Sequence, residues 1–216
     1  YITFSESSEN IYDFVGVTSP APADSHKGLH NAVTALPTPP SGSEGSQANY
    51  DVVEASDNSR WSNATTEYLK FPIQMFRWYV DLPGTIAEYE GGHEGYGEYS
   101  IWDEDLQEYV PASWYCALYI YNFNTTAWEL LASHESSSDE TISGTKNSNL
   151  SHYKDENNYV YTVVRGPTKA VAGVPAYSTL YSDYAWLKIT WGEEAGATRN
   201  MGRRLRHYRF HADRWY

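Results

Sequence analysis

The stretch Phe71-Pro72-Ile73-Gln74-Met75-Phe76-Arg77-Trp78-Tyr79-Val80-Asp81-Leu82 decides the fold class. Phe76, Trp78, Val80 and Leu82 alternate with Met75, Arg77, Tyr79 and Asp81, which is the period of a strand with one apolar and one mixed face. The same period returns where Trp114, Cys116, Leu118 and Ile120 alternate with Tyr115, Ala117, Tyr119 and Tyr121. It returns again where Ala185, Leu187, Ile189 and Trp191 alternate with Tyr184, Trp186, Lys188 and Thr190. Each run lays one face on a core and leaves another that is often tyrosine.

Further strands are expected at Tyr50–Ala55, Trp128–His134, Asp139–Ile142 and Tyr159–Arg165, separated by turn-forming residues. Glu90-Gly91-Gly92-His93-Glu94-Gly95-Tyr96-Gly97 and Ser136–Asp139 read as loops, because glycine and short polar residues supply turn geometry. Composition agrees with strands: 16% of the chain is aromatic, with 20 Tyr and 8 Trp against 2 Met. At 216 residues the chain can form one large sandwich and still spare an appendage.

The N-terminal region supplies that appendage. Tyr1–Phe4 and Ile11–Val17 are β-prone, the second carrying Ile11, Phe14, Val15 and Val17. Five prolines follow between Pro20 and Pro40, which predicts an extended linker. The expected organisation is an arm and Pro-rich linker over 1–48, a β-sandwich over 49–198 and a basic C-terminal segment over 199–216. The chain begins at Tyr1, which reads as a processed product or a fragment.

Net charge is −13, which argues against a nucleic-acid partner because phosphate would be repelled over most of the surface. The charge is uneven: from Arg199 to Tyr216 six Arg face one Asp, a net +5. Ends of opposite sign suit head-to-tail contacts between copies, with Arg203, Arg204, Arg206 and Arg209 as the basic interface. Cys116 is the single cysteine, so no intrachain disulfide can form. No apolar run is long enough for a membrane helix.

The block Leu118–Trp191 resembles jelly-roll, carbohydrate-module-like domains of secreted and surface-layer microbial proteins. The likeness lies in the strand Leu118-Tyr119-Ile120-Tyr121-Asn122, the Ala127–Leu131 strand (AWELL) after a tight turn, Asn149-Leu150-Ser151, and the Leu180–Tyr184 strand entry. Glu90–Gly97 is similar to the Gly-rich loop such domains place before this block. The resemblance implies an all-β, jelly-roll-like antiparallel β-sandwich outside the cell or on its surface. Arm, linker and body together resemble subunits of extracellular filaments built by strand exchange. That likeness implies a homopolymer in which the N-terminal strand of one copy docks on the next, because a sheet edge offers unpaired N–H and C=O groups to an incoming strand. The alternative is a carbohydrate-binding or adhesive surface module.

Candidate chemical sites are few. Asn63, Asn124 and Asn149 each open an Asn-x-Ser/Thr sequon, so N-linked glycans are expected there if the host glycosylates. Asp103-x-Asp105-x-x-Glu108 loosely resembles the acidic strand of laminarinase-type glycosidases, although an Asp stands where that nucleophile is Glu. The reading adopted is no enzyme, no cofactor and no catalytic residue, with a structural Ca²⁺ at these acids or at Asp139 and Glu140 as the one metal option. Tyr115, Tyr119, Tyr121, Trp102, Trp128 and Trp186 are candidates for an aromatic platform that sugars or protein partners could use.

Overall fold

A computed structural model describes residues 4–169 and 172–194. Two six-stranded antiparallel sheets face each other, so the all-β sandwich expected from the alternating runs is the architecture. Sheet A contains β1 (Phe4–Tyr12), β4 (Trp61–Thr65), β6 (Thr85–Asp103), β7 (Glu108–Trp114), β10 (Glu140–Lys146) and β12 (Ala176–Glu194). Its spine is the pairing of the two 19-residue strands β6 and β12. One half of that spine is flanked by β1 and β10, the other by β4 and β7. Sheet B runs in the order β3 (Ser43–Glu44), β2 (Lys27–Val33), β5 (Phe71–Tyr79), β11 (Tyr159–Arg165), β8 (Cys116–Asn122), β9 (Ala127–His134).

The alternation explains the core. Phe76 and Trp78 of β5, Cys116, Leu118 and Ile120 of β8, and Ala185, Leu187 and Ile189 of β12 are buried between the sheets. A buried polar chain also links the sheets. Its directions are mutually consistent in one sense: the Cys116 thiol lies 3.7 Å from His93 Nδ1, His93 Nε2 donates to Ser182 Oγ at 2.6 Å, Ser182 donates to Gln74 Oε1, and Gln74 Nε2 donates to the Trp61 carbonyl at 2.9 Å. The thiol can donate to Nδ1 only while His93 is neutral. Burial holds its imidazole down to about 3, with His134 nearby acting in the same direction, and burial pushes the Cys116 thiol up.

Several expectations are corrected. Glu90–Gly97 is the middle of β6, not a loop. Its glycines answer to close approach across the sheet: a Cβ at Gly92 would overlap the Trp186 ring, and Gly95, at φ +152, sits beside the Tyr181 carbonyl and the His93 ring. Tyr50–Ala55 is not a strand. Ser46 and Asn49 form a capping box that starts the short helix α1 (Gln47–Asp51).

The division at residue 48 also fails, since β2 lies inside sheet B and the Pro-rich stretch covers that sheet's outer face. Arg77 donates to the carbonyls of Pro22, Ala23 and Ser25, Tyr159 donates to Ala23, and Trp128 Nε1 donates to Pro37 at 2.8 Å. Proline carbonyls remain good acceptors, so a stretch without regular structure is held by bonds from distant side chains. The segment 199–216, with Arg203, Arg204, Arg206 and Arg209, lies outside the described residues.

The arm lies along its own body. β1 pairs with β12 from Ser7↔Gly192 to Tyr12↔Leu187, and Phe14 is 0% exposed among Tyr50, Phe76 and Trp78. Val17 joins the same core, whereas Ile11 and Val15 are 62% and 65% exposed. The four residues therefore split two and two instead of forming one inserted face.

Candidate ligand-binding face

The outward residues of sheet A follow from the register. On β12, Ser178, Leu180, Ser182, Ala185, Leu187 and Ile189 are buried. Their alternates Tyr177, Thr179, Tyr181, Tyr184, Trp186 and Lys188 therefore point outward, with Asp183 absorbed in a bulge between Ser182 and Tyr184. On β6 the outward set is Glu88, Glu90, Gly92, Glu94, Tyr96, Glu98, Ser100 and Trp102, and β10 adds Thr141 and Ser143 opposite Glu94 and Gly92.

These positions bring seven rings into one track. Tyr184 stacks on Trp186 at 5.2 Å and 21°, and Trp186 leans over Gly92. Tyr96 stacks on Tyr181 at 4.7 Å and 23°. Tyr109, from β7, lies 4.0 Å from Tyr177 and 5.1 Å from Trp102. From Tyr177 to Trp186 the track runs about 30 Å at the usual strand rise. Most of its rings are half-buried, and Tyr177 reaches 36% exposure.

Charge is organised around the rings. Arg60 lies 5.6 Å from the Tyr96 centroid and is bonded in two places to Asp139, a pairing that raises its own pKa. Lys188 pairs with Glu90, with Glu9 and Glu88 close by. Asp183 is buried and accepts from the backbone N–H groups of Asp57 and Asn58 at 3.3 and 3.1 Å, which fixes the loop carrying Arg60. Burial pushes the Tyr184 and Tyr96 hydroxyls up, aided respectively by Asp13 and Tyr181. Both phenols are thus neutral donors at ordinary pH.

The sequence-predicted platform does not form as a unit. Trp102 and Trp186 belong to the track on sheet A. Tyr119, Tyr121 and Trp128 lie on the outer face of sheet B, packed with Phe71, Ile73 and Met75 under the N-terminal segment, where Tyr121 is buried. Tyr96, Tyr109, Tyr177, Tyr181 and Tyr184 complete the sheet A track, and for the three on β12, Tyr177, Tyr181 and Tyr184, the alternation with buried residues is the available signal.

The remaining candidates are placed as follows. Asn63 Nδ2 donates to the carbonyls of Asn31 and Ile73 at 2.7 and 3.0 Å, so its nitrogen is fully engaged. Asn124 and Asn149 are exposed, in the β8–β9 turn and before a 3₁₀ turn at Leu150–His152. Asp103 and Glu108 oppose each other across the β6–β7 hairpin. Asp103 Oδ1 accepts from Asp105 and Leu106 backbone N–H groups, so these acids build a turn instead of alternating along one strand. Among the described residues no three His, Cys, Asp or Glu are grouped to hold a metal ion, and no helix is long and apolar enough to cross a membrane.

Comparison with known proteins adds the following. A family model described as an uncharacterized protein's C-terminal domain matches residues 28–191. No curated protein matches the chain. Among solved structures, a CBM28 carbohydrate-binding module specific for non-crystalline cellulose is similar at 10% identity, over 63% of this chain and 73% of that chain, with a TM-score of 0.18. A likeness at that level bears on no functional question.

Proposed function

The chain belongs to a family described as the C-terminal domain of an uncharacterized protein, and from the geometry of sheet A we propose that it is a non-catalytic module of an extracellular surface that binds hydroxyl-rich glycans along that sheet. The seven-ring track carries the reading. Aromatic faces are electron-rich and the C–H faces of sugar rings are electron-poor and apolar, so a line of rings can hold a chain of sugars while excluding water. Glu94, Glu98, Thr141 and Ser143 border the rings and supply acceptors for sugar hydroxyls, and bonds to a carboxylate are about twice as strong as neutral ones. The acidic surroundings disfavour anionic polysaccharides.

The non-catalytic part rests on how the acids are used. Asp103 caps a turn, Glu90 is paired with Lys188, and Asp139 with Arg60. No cofactor and no structural Ca²⁺ enter the proposal. Affinity electrophoresis through gels carrying neutral β-glucan, xylan or mannan tests it: retardation by at least one neutral polymer is expected, and unretarded migration in all three would end the reading.

A second reading is a filament subunit that exchanges its N-terminal strand, which here pairs within its own chain. The arm satisfies the β12 edge through a ladder that the same arm from another copy could satisfy equally, with Phe14 as anchor. Electron micrographs of the full chain and of a variant lacking residues 1–18 test it. Filaments that vanish with the arm support exchange, and isolated particles in both samples refute it.

A further inference from the structure

A cavity of about 530 Å³ opens at one end of the sandwich, between the start of β6 and the loop that joins β10 to β11. It is separate from the ring track: Tyr89, one of its walls, packs in the core between the sheets, whereas the rings of the track project from the opposite face of sheet A. The volume lies within the roughly 300–1,000 Å³ usual for small-molecule sites.

The walls are fixed from the loop side. The Phe123 N–H donates to the His152 carbonyl at 2.7 Å, and the Tyr153 ring meets the Tyr89 ring edge-on at 6.0 Å. Ile86 and Leu150 give the cavity apolar sides, Asn147 and Asn149 supply amides that both donate and accept, and Lys154 supplies a cation.

Two features select the ligand. Tyr89 is 1% exposed, its hydroxyl has no hydrogen-bond partner among the described residues, and burial pushes the phenol up, so it stays protonated. A polar group so deeply buried calls for a partner, and the cavity it lines is where one can sit. The second feature is charge. None of the ten lining residues is acidic, although the chain has 28 Asp and Glu, so the cavity is the reverse in sign of its surroundings. The Lys154 ammonium donates to Asn158 Oδ1 at 2.8 Å and has no carboxylate within ion-pair distance among the described residues, which leaves two of its three N–H groups for a ligand.

We propose that this cavity binds a monosaccharide-sized polyhydroxy carboxylate, a uronate, with its carboxylate on Lys154, its hydroxyls on Tyr89 and the asparagine amides, and the C–H face of its ring on Ile86 and Leu150. A carboxylate bonded to an ammonium is held about twice as strongly as a neutral pair. Hydroxyls, which donate and accept, match a phenol and amides that do the same. The site stands independently of the glycan reading of sheet A, and its charge preference is opposite: the acidic track disfavours anions, and the cavity selects one.

Titration calorimetry of the full chain against glucuronate and glucose tests the proposal, with protein made without N-glycans because Asn149 stands at the rim. Glucuronate is expected to bind about tenfold more tightly than glucose, and Lys154→Gln should abolish that preference. Tyr89→Phe should weaken glucuronate about fivefold without lowering Tm, since the oxygen it removes has no partner in the protein. Acetate, an anion without hydroxyls, should not displace glucuronate. Hydroxyl-radical footprinting with glucuronate should protect Leu150 and leave Trp186 as reactive as before. Absence of glucuronate binding, a preference that survives Lys154→Gln, displacement by acetate, or protection of Trp186 in place of Leu150 overturns the proposal.

Discussion

Replacing Phe14 with Ala tests how the N-terminal arm is held. The ring is 0% exposed, with centroids 5.0 Å from Tyr50, 5.5 Å from Trp78 and 5.6 Å from Phe76. Two of these partners belong to β5 at the centre of sheet B, so the anchor ties the arm to the opposite sheet. Removing a buried phenylalanine costs about 4 kcal/mol, as lost transfer energy plus the cavity left behind. With a urea dependence of about 2 kcal/mol per molar, the unfolding midpoint should fall by about 2 M. Ile11→Ala and Val15→Ala serve as controls: both side chains are more than 60% exposed, so each should shift stability by no more than about 0.5 kcal/mol. Urea titrations followed by circular dichroism over a hundredfold range of protein concentration provide the assay. An arm docked on its own body makes the midpoint independent of concentration, whereas an arm supplied by a neighbour makes it rise with concentration. Equal small effects from all three substitutions, or a concentration-dependent midpoint, would refute docking within the chain.

Three further outcomes follow from the same geometry. His93 is held neutral with its pKa near 3, below the unfolded value of about 6.5, so the unfolded chain binds the extra proton; stability is full above about pH 6.5 and is lost as pH falls toward 3. The loss approaches about 4 kcal/mol, and His93→Gln should flatten that slope in urea titrations between pH 7 and pH 4. Gly92→Ala places a methyl in the Trp186 ring, an overpacking cost of about 2 kcal/mol that should lower Tm by about 5 °C and weaken ligand binding by displacing the indole; an unchanged Tm would mean that Trp186 does not lean on Gly92. Glycopeptide mapping of protein made in a glycosylating host should find Asn124 and Asn149 occupied and Asn63 bare, since both Asn63 amide hydrogens are already donated; an occupied Asn63 contradicts the β2–β4–β5 contact.

The strands that the sequence makes legible are those whose two faces meet different surroundings. β8 alternates buried Cys116, Leu118 and Ile120 with outward Tyr119 and Tyr121, and the second half of β12 behaves likewise, so period two is plain in the residues. The middle of β6 is illegible for a physical reason: Gly91, Gly92, Gly95 and Gly97 make room for side chains and carbonyls arriving from other strands, and a glycine that answers to a distant neighbour looks the same locally as one that turns the chain. Pro20–Pro40 hides its role similarly. The donors that hold it, Arg77, Trp128 and Tyr159, lie between 52 and 136 residues away. The candidate face was half visible, because Trp102 and Trp186 stand out as large aromatics. Their union with Tyr96, Tyr109, Tyr177, Tyr181 and Tyr184 depends on the β6–β12 register, which pairs residues 75 to 107 positions apart.

The central claim is that the ring track of sheet A is a glycan-binding surface. Titration calorimetry of the full chain against a neutral polysaccharide that retards it, with and without Trp186→Ala, tests this most directly. The account predicts at least a tenfold loss of affinity, as removing a contacting aromatic of this kind costs more than about 1.4 kcal/mol, with an unchanged far-ultraviolet spectrum. Undiminished binding by the folded Trp186→Ala protein would contradict it.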